Sequence, residues 1–349
     1  MRTVRIENLP NRSQMHELYH GRGSLGANRM KKILVVRIGA LGDAIHALPM
    51  VNELHRREPE SEIYWAAGPS VVSFLKGHSA LSGFITVNKG VKGLFNAAKL
   101  VRKKFDCAID TQGLIKSAFI AASSSNMVIG RAWNSVREKP ASFFYTEKVE
   151  PQKEHIIEQN LELLEPLFPN ETKFEIKYDI PIHEHPEWKF LSETPILFNI
   201  GGGWWTKLWE RENFVQLANR IDKVLGLPVG IVWGPGEEDN AKYIAAHSSA
   251  QLAPPTLFRD LAGIFSKARL LVSGETGPLH LAVAVGCRTI ALLGPTAGTR
   301  NGPYGKEQIT IEPQLPCRPC HSRTCADFRC MPMITPDRVF NEIANKLER

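Results

Sequence analysis

No apolar run in this sequence approaches the roughly 20 residues that a helix needs to cross a bilayer. The first 30 residues are polar and rich in arginine and glycine, without the apolar centre of a secretory signal peptide. Aromatic residues make up 8% of the chain, and no basic run interleaved with aromatic residues matches a known nucleic-acid-binding module. These absences predict a cytoplasmic protein that neither spans a membrane nor binds nucleic acid.

The length and composition are those of an ordinary globular protein. The chain has 349 residues, of which 43% are hydrophobic and 23% are charged, enough for two α/β domains with a core each. Its formal net charge is +7, and residues 1–29 contribute +3 of it through five arginines and two glutamates. This basic excess favours either solubility or attraction to anionic ligands and membrane surfaces.

The sequence pattern divides the chain into two halves. Met30 begins a stretch that resembles a natural start, so residues 1–29 are expected to be a disordered N-terminal extension. Short apolar strands then alternate with helical stretches, which is the pattern of a doubly wound sheet. Residues 181–194 carry prolines and mixed charges, and they are expected to link domains at residues 30–180 and 195–349.

Residues 270–305 contain the pattern with the strongest chemical implication. An apolar strand ends at Ser273, a loop of glycine and polar residues follows, and Pro278 stands where a helix would begin. This order leaves unpaired backbone N–H groups and the positive end of a helix dipole facing one point. It predicts a phosphate site, although a tight strand-to-helix turn also uses Gly-Pro without any ligand.

A second unit of strand, glycine turn and helix lies at residues 32–57. Its turn lacks the G-x-G-x-x-G spacing and the later acidic residue of a dinucleotide-binding fingerprint. Asp43 stands at the start of the helical stretch, where a carboxylate either caps the helix or serves chemistry at the end of the sheet. Taken alone, the residues favour the cap.

Several motifs resemble those of glycosyltransferase family 9, the bacterial lipopolysaccharide heptosyltransferases. They are S-G-E-T-G-P-x-H at 273–280, N-G-P-Y-G at 301–305, G-D-x-x-x-x-L-P at 42–49 and D-x-Q-G-L-x-K-S at 110–117. The resemblance runs from about Lys31 to the C-terminus. It implies the α/β GT-B fold, in which two Rossmann-like doubly wound domains face each other across a cleft. It also implies that the terminal helix, from Asp337 onward, returns to the first domain.

Within this resemblance, Asp43 falls on the proposed general base and Lys207 on the lysine that meets the donor diphosphate. Glu237 lies in the loop whose acidic residue hydrogen-bonds the donor ribose. Glu275 stands where the family usually has aspartate, which leaves the precise contact to the donor hydroxyls open. The donor-binding residues implied in this way are Gly42, Gly202, Thr206, Glu237, Thr256, Leu257, Glu275, Thr276, Gly277, Pro278 and His280.

The resemblance places the acceptor side at four polar residues of the first half. They are Gln112, Lys116, Arg131 and Arg137. The basic side chains among them could meet an anionic acceptor sugar. The alternative is that they are ordinary solvated loop residues.

Four of the six cysteines cluster at Cys317, Cys320, Cys325 and Cys330. Such clustering in a cytosolic chain can supply a zinc or iron–sulfur site, but the spacing is not that of a standard zinc ribbon. Similar cysteines occur in heptosyltransferase II-like sequences, where they are associated with no catalytic metal. The sequence leaves open whether these four cysteines hold a structural metal. No metal or other cofactor is expected in the reaction.

The resemblance therefore implies an inverting, metal-independent transfer of heptose from ADP-L-glycero-D-manno-heptose to Kdo or heptose in the lipopolysaccharide inner core. The acceptor would be of the lipid A-Kdo type at the inner face of the cytoplasmic membrane, and the enzyme a peripheral monomer. Two alternatives stand beside this interpretation. One is a family 9 transferase with another donor or acceptor, and the other is a nucleotide-binding protein without catalytic activity.

Overall fold

The computed structural model describes residues 30–169, 173–182 and 194–347. The predicted extension over residues 1–29 lies outside these ranges, as do residues 183–193 of the predicted linker. No helix within these ranges has both the length and the apolar character that crossing a bilayer requires.

The first half forms a parallel six-stranded sheet with the order β3-β2-β1-β4-β5-β6. Its strands are β1 (Lys32–Val36), β2 (Glu62–Ala67), β3 (Gly83–Thr86), β4 (Cys107–Asp110), β5 (Met127–Arg131) and β6 (Glu147–Val149). In register, Val36 lies beside Ala66 on one side and Asp110 on the other. The carboxyl ends of the central strands therefore meet at one edge of the sheet.

Helices cover both faces of this sheet. They are α1 (Leu41–Arg57), α2 (Pro69–Leu75), α3 (Gly90–Val101), α4 (Ile115–Ser124) and α5 (Ile156–Leu161), with 3-10 turns at Lys139–Phe144 and Glu162–Leu164. Alternate residues of β1 enter different cores: Ile33 and Val35 pack in one, Leu34 and Val36 in the other. A strand that is buried on both faces reads as a continuous apolar run, which is why the sequence predicted this sheet.

The second half repeats the plan with the strand order β12-β11-β10-β7-β8-β9, again parallel. Its strands are β7 (Ile196–Asn199), β8 (Val229–Val232), β9 (Gln251–Leu252), β10 (Leu270–Gly274), β11 (Thr289–Leu292) and β12 (Ile309–Ile311). Its helices are α6 (Arg211–Leu225), α7 (Glu238–His247), α8 (Leu261–Lys267), α9 (Gly277–Ala284), α10 (Gly298–Asn301) and α11 (Pro336–Leu347), with 3-10 turns at Trp205–Lys207 and Phe258–Asp260. Two doubly wound α/β domains were predicted, and this fold class is confirmed.

An apolar seam joins the two domains. Ala44 and Leu48 of α1 belong to the same buried cluster as Phe265 of α8 and Leu281 of α9. Burial of this continuous apolar surface holds helices of the two domains against each other.

The terminal helix α11 packs on the second domain. Its buried side chains Val339, Phe340 and Ile343 lie in the core built around β7 and β10. Arg220 of α6 pairs with Asp337 and lies over the Phe340 ring, 4.2 Å from its centroid. The expected return of this helix to the first domain is therefore wrong, because its apolar stripe is buried against α6 and the second sheet.

Candidate active site

A cleft of about 730 Å³ separates the two domains, and its walls come from loops at the carboxyl ends of strands in both sheets. This is the edge at which doubly wound sheets bind ligands. Fourteen of the residues predicted for the site line the cleft: Gly42, Asp43, Gln112, Arg131, Arg137, Gly202, Lys207, Glu237, Thr256, Glu275, Thr276, Gly277, Pro278 and His280.

The N-termini of α1 and α9 converge at this cleft. A Cβ atom added to Gly42 would lie 3.3 Å from the Cα of Gly277 and 3.2 Å from the His280 ring, so glycine permits the close approach. Asn199, at the end of β7, donates to the hydroxyls of Ser273 and Thr276 at 2.9 and 3.1 Å and holds the loop before α9. Two positive helix ends therefore face one space, which suits an anion.

Asp43 lies in the first turn of α1, on the first-domain wall. Ala40 occupies the N-cap position without a side-chain cap bond, so the alternative that Asp43 caps the helix does not hold. Its carboxylate pairs with the buried guanidinium of Arg37, which also donates to the Thr111 carbonyl at 2.6 Å. Arg37 thereby fixes the direction of a carboxylate that is still 37% exposed at the cleft.

Lys207 stands on the opposite wall, in the 3-10 turn that follows the glycine-rich loop. Its ammonium pairs with the Glu275 carboxylate and lies 3.8 Å from the ring centroid of Trp204. Both members of the ion pair are largely buried, with 7% and 14% of their side chains exposed. A buried ammonium over an aromatic face is well placed to bind an anion that displaces the carboxylate.

Glu237 is held at the end of β8 by its own loop. The Gly234 N–H donates to its carboxylate at 2.7 Å, yet burial raises the pKa of Glu237 above its usual value, against the lowering effect of that hydrogen bond. A Cβ atom on Gly201 would lie 2.0 Å from the Glu237 Oε1 atom. Glycine at position 201, beside the predicted Gly202, therefore leaves room for the carboxylate in this position.

Two of the predicted acceptor residues have structural partners. Gln112 accepts a hydrogen bond from the Ile38 N–H at 2.8 Å. Arg131 donates to the Thr111 carbonyl at 3.0 Å and to Asn160 at 2.8 Å, and burial lowers its pKa to about 10. Arg137 also lines the cleft and is exposed. Its guanidinium is therefore more accessible to a ligand than that of Arg131.

Three predicted site residues do not reach the cleft. Lys116 is exposed at the start of α4 and lines a separate groove on the first domain. The Thr206 hydroxyl is buried and donates to the Ser322 carbonyl at 2.7 Å. Leu257 is 59% exposed, and the neighbouring residues Thr256 and Phe258 line the cleft instead. In each case the side chain leaves the turn in a direction that the motif does not specify.

Arg300 is the main basic residue that the sequence analysis missed. It lines the cleft, and burial lowers its pKa, while the charge of Asp43 opposes that shift. Arg300 directly precedes the motif N-G-P-Y-G at 301–305, so its position next to that motif was the available signal.

The cysteine-rich segment also reaches the cleft, which was not predicted. His321 and Arg323 line it, and the Arg323 guanidinium lies 5.1 Å from the centroid of the Trp204 ring. The N–H groups of Cys320 and His321 both donate to the Pro295 carbonyl, at 3.1 and 2.9 Å. Within the described residues, no group of three or more His, Cys, Asp or Glu side chains is arranged to hold a metal ion.

Three histidines lie together at the base of the cleft. The ring of His46 is 4.1 Å from that of His280 and 6.2 Å from that of His155, centroid to centroid. Neither ring nitrogen of His46 has a hydrogen-bond partner among the described residues. Burial lowers the pKa of all three, that of His280 to about 3. Arg37 and Arg300 also lower the pKa of His46, and Lys207 lowers that of His280 while Asp43 raises it.

Two doubly wound domains, with helix N-termini and a buried lysine converging between them, define a two-domain α/β protein built to bind an anionic ligand such as a nucleoside diphosphate. A family model described as glycosyltransferase family 9 (heptosyltransferase) matches residues 96–329. The chain therefore belongs to glycosyltransferase family 9.

Individual relatives agree with this assignment. The chain is 28% identical over 315 residues to lipopolysaccharide heptosyltransferase 1 of Pseudomonas aeruginosa, covering 84% of this chain and 87% of the relative. It is also 28% identical to lipopolysaccharide heptosyltransferase 1 of Escherichia coli K12, with 80% and 92% covered. The solved structure of E. coli heptosyltransferase WaaC with ADP-2-deoxy-2-fluoro heptose matches with a TM-score of 0.73 at 23% identity, covering 90% and 99%. This likeness shows the shared GT-B fold.

We expect the free energy of unfolding to fall as the pH drops from 6.5 towards 4.5. The folded protein takes up protons on these histidines less readily because burial lowers their pKa, whereas unfolded histidine takes up a proton below about pH 6.5. The free energy of unfolding is therefore unaffected by these histidines above that pH. Below it, each histidine lowers the free energy of unfolding by up to about 1.4 kcal/mol per pH unit. Urea unfolding followed by tryptophan fluorescence measures this slope.

The variant His46→Gln should have a shallower slope than the wild type, and His247→Gln, which alters an exposed histidine of α7, should not. Equal slopes for the wild type and His46→Gln would show that His46 is not the buried neutral group described above.

Proposed function

We propose that this protein is an inverting glycosyltransferase that moves heptose from ADP-L-glycero-D-manno-heptose to Kdo or heptose of the lipopolysaccharide inner core. The observation that carries the proposal is the placement of Asp43 on one wall of the cleft and of Lys207 with the α9 N-terminus on the other. The names of the relatives, lipopolysaccharide heptosyltransferase 1, support heptose as the sugar and favour the first heptose position.

The donor would lie along the second domain. Its diphosphate would meet the Lys207 ammonium, which now pairs with Glu275, and the backbone N–H groups near Thr276 and Gly277. The ribose hydroxyls would donate to the Glu237 carboxylate. The adenine would lie at Thr256 and beside the Phe258 ring, which is itself packed edge-on against Phe74 at 5.0 Å.

Transfer is then a single displacement at the anomeric carbon. Asp43 takes the proton of the acceptor hydroxyl as its oxygen bonds to that carbon. The bond from the carbon to the β-phosphate oxygen breaks, and its electron pair leaves with ADP. Lys207 and the helix N-terminus stabilise the charge that develops there. Attack from the face opposite the leaving group inverts the anomeric configuration.

The proposal uses no metal and no other cofactor, because Lys207, Arg300 and two helix ends supply positive charge at the cleft. All of these groups lie on one chain, so a monomer suffices. The acceptor of the lipid A-Kdo type would be met at the inner face of the cytoplasmic membrane, with Arg137 and Arg131 on its side of the cleft.

The direct test is incubation of the protein with ADP-heptose and a panel of Kdo-bearing or heptosylated lipid A acceptors, in excess EDTA. Mass spectrometry should detect one added heptose, and NMR should give the anomeric configuration opposite to that of the donor. Donor binding without transfer would support the non-catalytic alternative. Retained configuration would contradict inversion, and loss of turnover in EDTA without unfolding would contradict metal independence.

We expect Asp43→Asn to lower turnover by about 10²–10⁴-fold while ADP affinity stays nearly unchanged, because the amide cannot accept the proton. Steady-state kinetics and calorimetry measure the two quantities. The matched control is Asp239→Asn, the same change at an exposed residue in the first turn of α7. Near-normal turnover of Asp43→Asn would remove Asp43 from the role of base.

We expect Lys207→Ala to weaken ADP binding and to slow turnover together, each by about ten- to a hundredfold, since a hydrogen bond to a charged group contributes roughly 1.5–3 kcal/mol. The substitution also leaves the Glu275 carboxylate unpaired, which would repel a diphosphate by itself. The double variant Lys207→Ala/Glu275→Gln separates the two causes. If calorimetry shows that ADP affinity returns in the double variant, Lys207 does not contact the diphosphate.

A further inference from the structure

Several large apolar side chains of the first domain are exposed and do not line the cleft. On α3, Val91 is 71% exposed and Phe95 is 57% exposed, and Phe143 in the 3-10 turn Lys139–Phe144 is 74% exposed. Scattered exposed apolar residues are normal, whereas a contiguous patch marks an interaction surface. We define the docking face by its exposed apolar members Val91, Phe95, Leu100, Ile115, Trp133 and Phe143.

Some members of the docking face are linked by ring contacts or share one groove. The Phe95 ring is 5.5 Å from that of Phe119 on α4, and the Trp133 ring is 5.2 Å from that of Phe143. A shallow groove between α3, α4 and the 3-10 turn includes Phe95, Ile115 and Phe119 in its lining. The groove therefore presents apolar side chains from α3, α4 and the 3-10 turn.

The charge along the α3 segment of this face has one sign. Residues 87–105, which contain α3, carry five lysines and one arginine and no acidic residue. Lys92 and Lys99 are exposed on α3 beside the apolar members, and the Lys139 ammonium lies 5.9 Å from the Trp133 ring centroid. Glu138 in the groove accepts a hydrogen bond from the Ile115 N–H at 2.7 Å. Apolar side chains among basic ones are the pattern of a protein surface that lies on an anionic lipid layer.

The docking face lies one loop away from the acceptor side of the cleft. Gln112 lines the cleft and Leu114 lines the groove, and in the next loop Arg137 lines the cleft and Glu138 the groove. We propose that the docking face rests on an anionic lipid bilayer and so opens the acceptor side of the cleft beside the membrane surface. The benefit of this placement rests on the proposed function, in which the acceptor is anchored in lipid.

A second copy of the chain fits this face less well than a membrane does. A symmetric contact would place the two basic α3 segments against each other, and like charges at an interface oppose association. Anionic headgroups neutralise the same charges while the aromatic side chains enter the interfacial region.

The test is co-sedimentation of the full chain with vesicles of phosphatidylglycerol and phosphatidylethanolamine, compared with phosphatidylcholine vesicles. Two double variants probe the face: Phe95→Gln/Phe143→Gln and Lys92→Gln/Lys99→Gln. The matched control is Lys223→Gln/Val224→Gln, an exposed basic and apolar pair on α6 of the second domain. Transfer to an acceptor sugar stripped of its acyl chains is measured in parallel.

We expect binding to the anionic vesicles to fall about 25-fold in the lysine variant, since each surface lysine contributes roughly fivefold. The aromatic variant should lose about tenfold, the control should bind like the wild type, and all variants should keep transfer to the stripped acceptor. Equal binding to phosphatidylcholine, equal loss in the control, or a dimer that dissociates in the face variants would each overturn the proposal. Vesicle binding by a wild type that transfers no sugar would instead overturn the proposed function and leave the docking face standing.

Discussion

The contact between Gly42 and Gly277 sets the separation of the two helix N-termini on which the cleft depends. A methyl group on Gly42 would lie within 3.3 Å of backbone on the other domain, and one on Gly277 within 3.2 Å of the Phe258 ring. Larger residues would push α1 and α9 apart and separate Asp43 from the donor wall. The apolar seam beneath them, with Leu48 and Leu281, holds the contact closed.

Ion pairs balance the charge in the cleft and also fix the orientation of the functional side chains. Arg37 is paired with Asp43, and Lys207 with Glu275, so these two buried cations have carboxylate partners. Burying an unpaired ion would cost several kcal/mol. Arg300 is exposed at the cleft and has no such pair among the described residues, and partial burial lowers its pKa. The cleft is thus basic where a diphosphate would lie, and its pairs can exchange carboxylate for phosphate oxygen.

The sequence predicted what depends on local pattern. Two doubly wound sheets followed from apolar strands that alternate with helices, and the glycine turns placed Asp43 and Lys207 at strand ends. It failed where the outcome depends on tertiary packing. The local sequence does not determine the direction of a side chain within a turn, and the side chains of Thr206 and Leu257 point away from the cleft. The fold of a distant loop brought Arg323 to Trp204, a contact across 119 positions that no local spacing encodes.

The central claim is that the second-domain wall of the cleft binds a nucleoside diphosphate at the N-terminus of α9. A crystal structure of the protein with ADP tests it most directly. We predict a phosphate oxygen within hydrogen-bonding distance of the Lys207 ammonium and of the N–H groups near Gly277, with the ribose hydroxyls at Glu237. A diphosphate bound to Arg37 and Arg131 on the first-domain wall, with Lys207 still on Glu275, would contradict it.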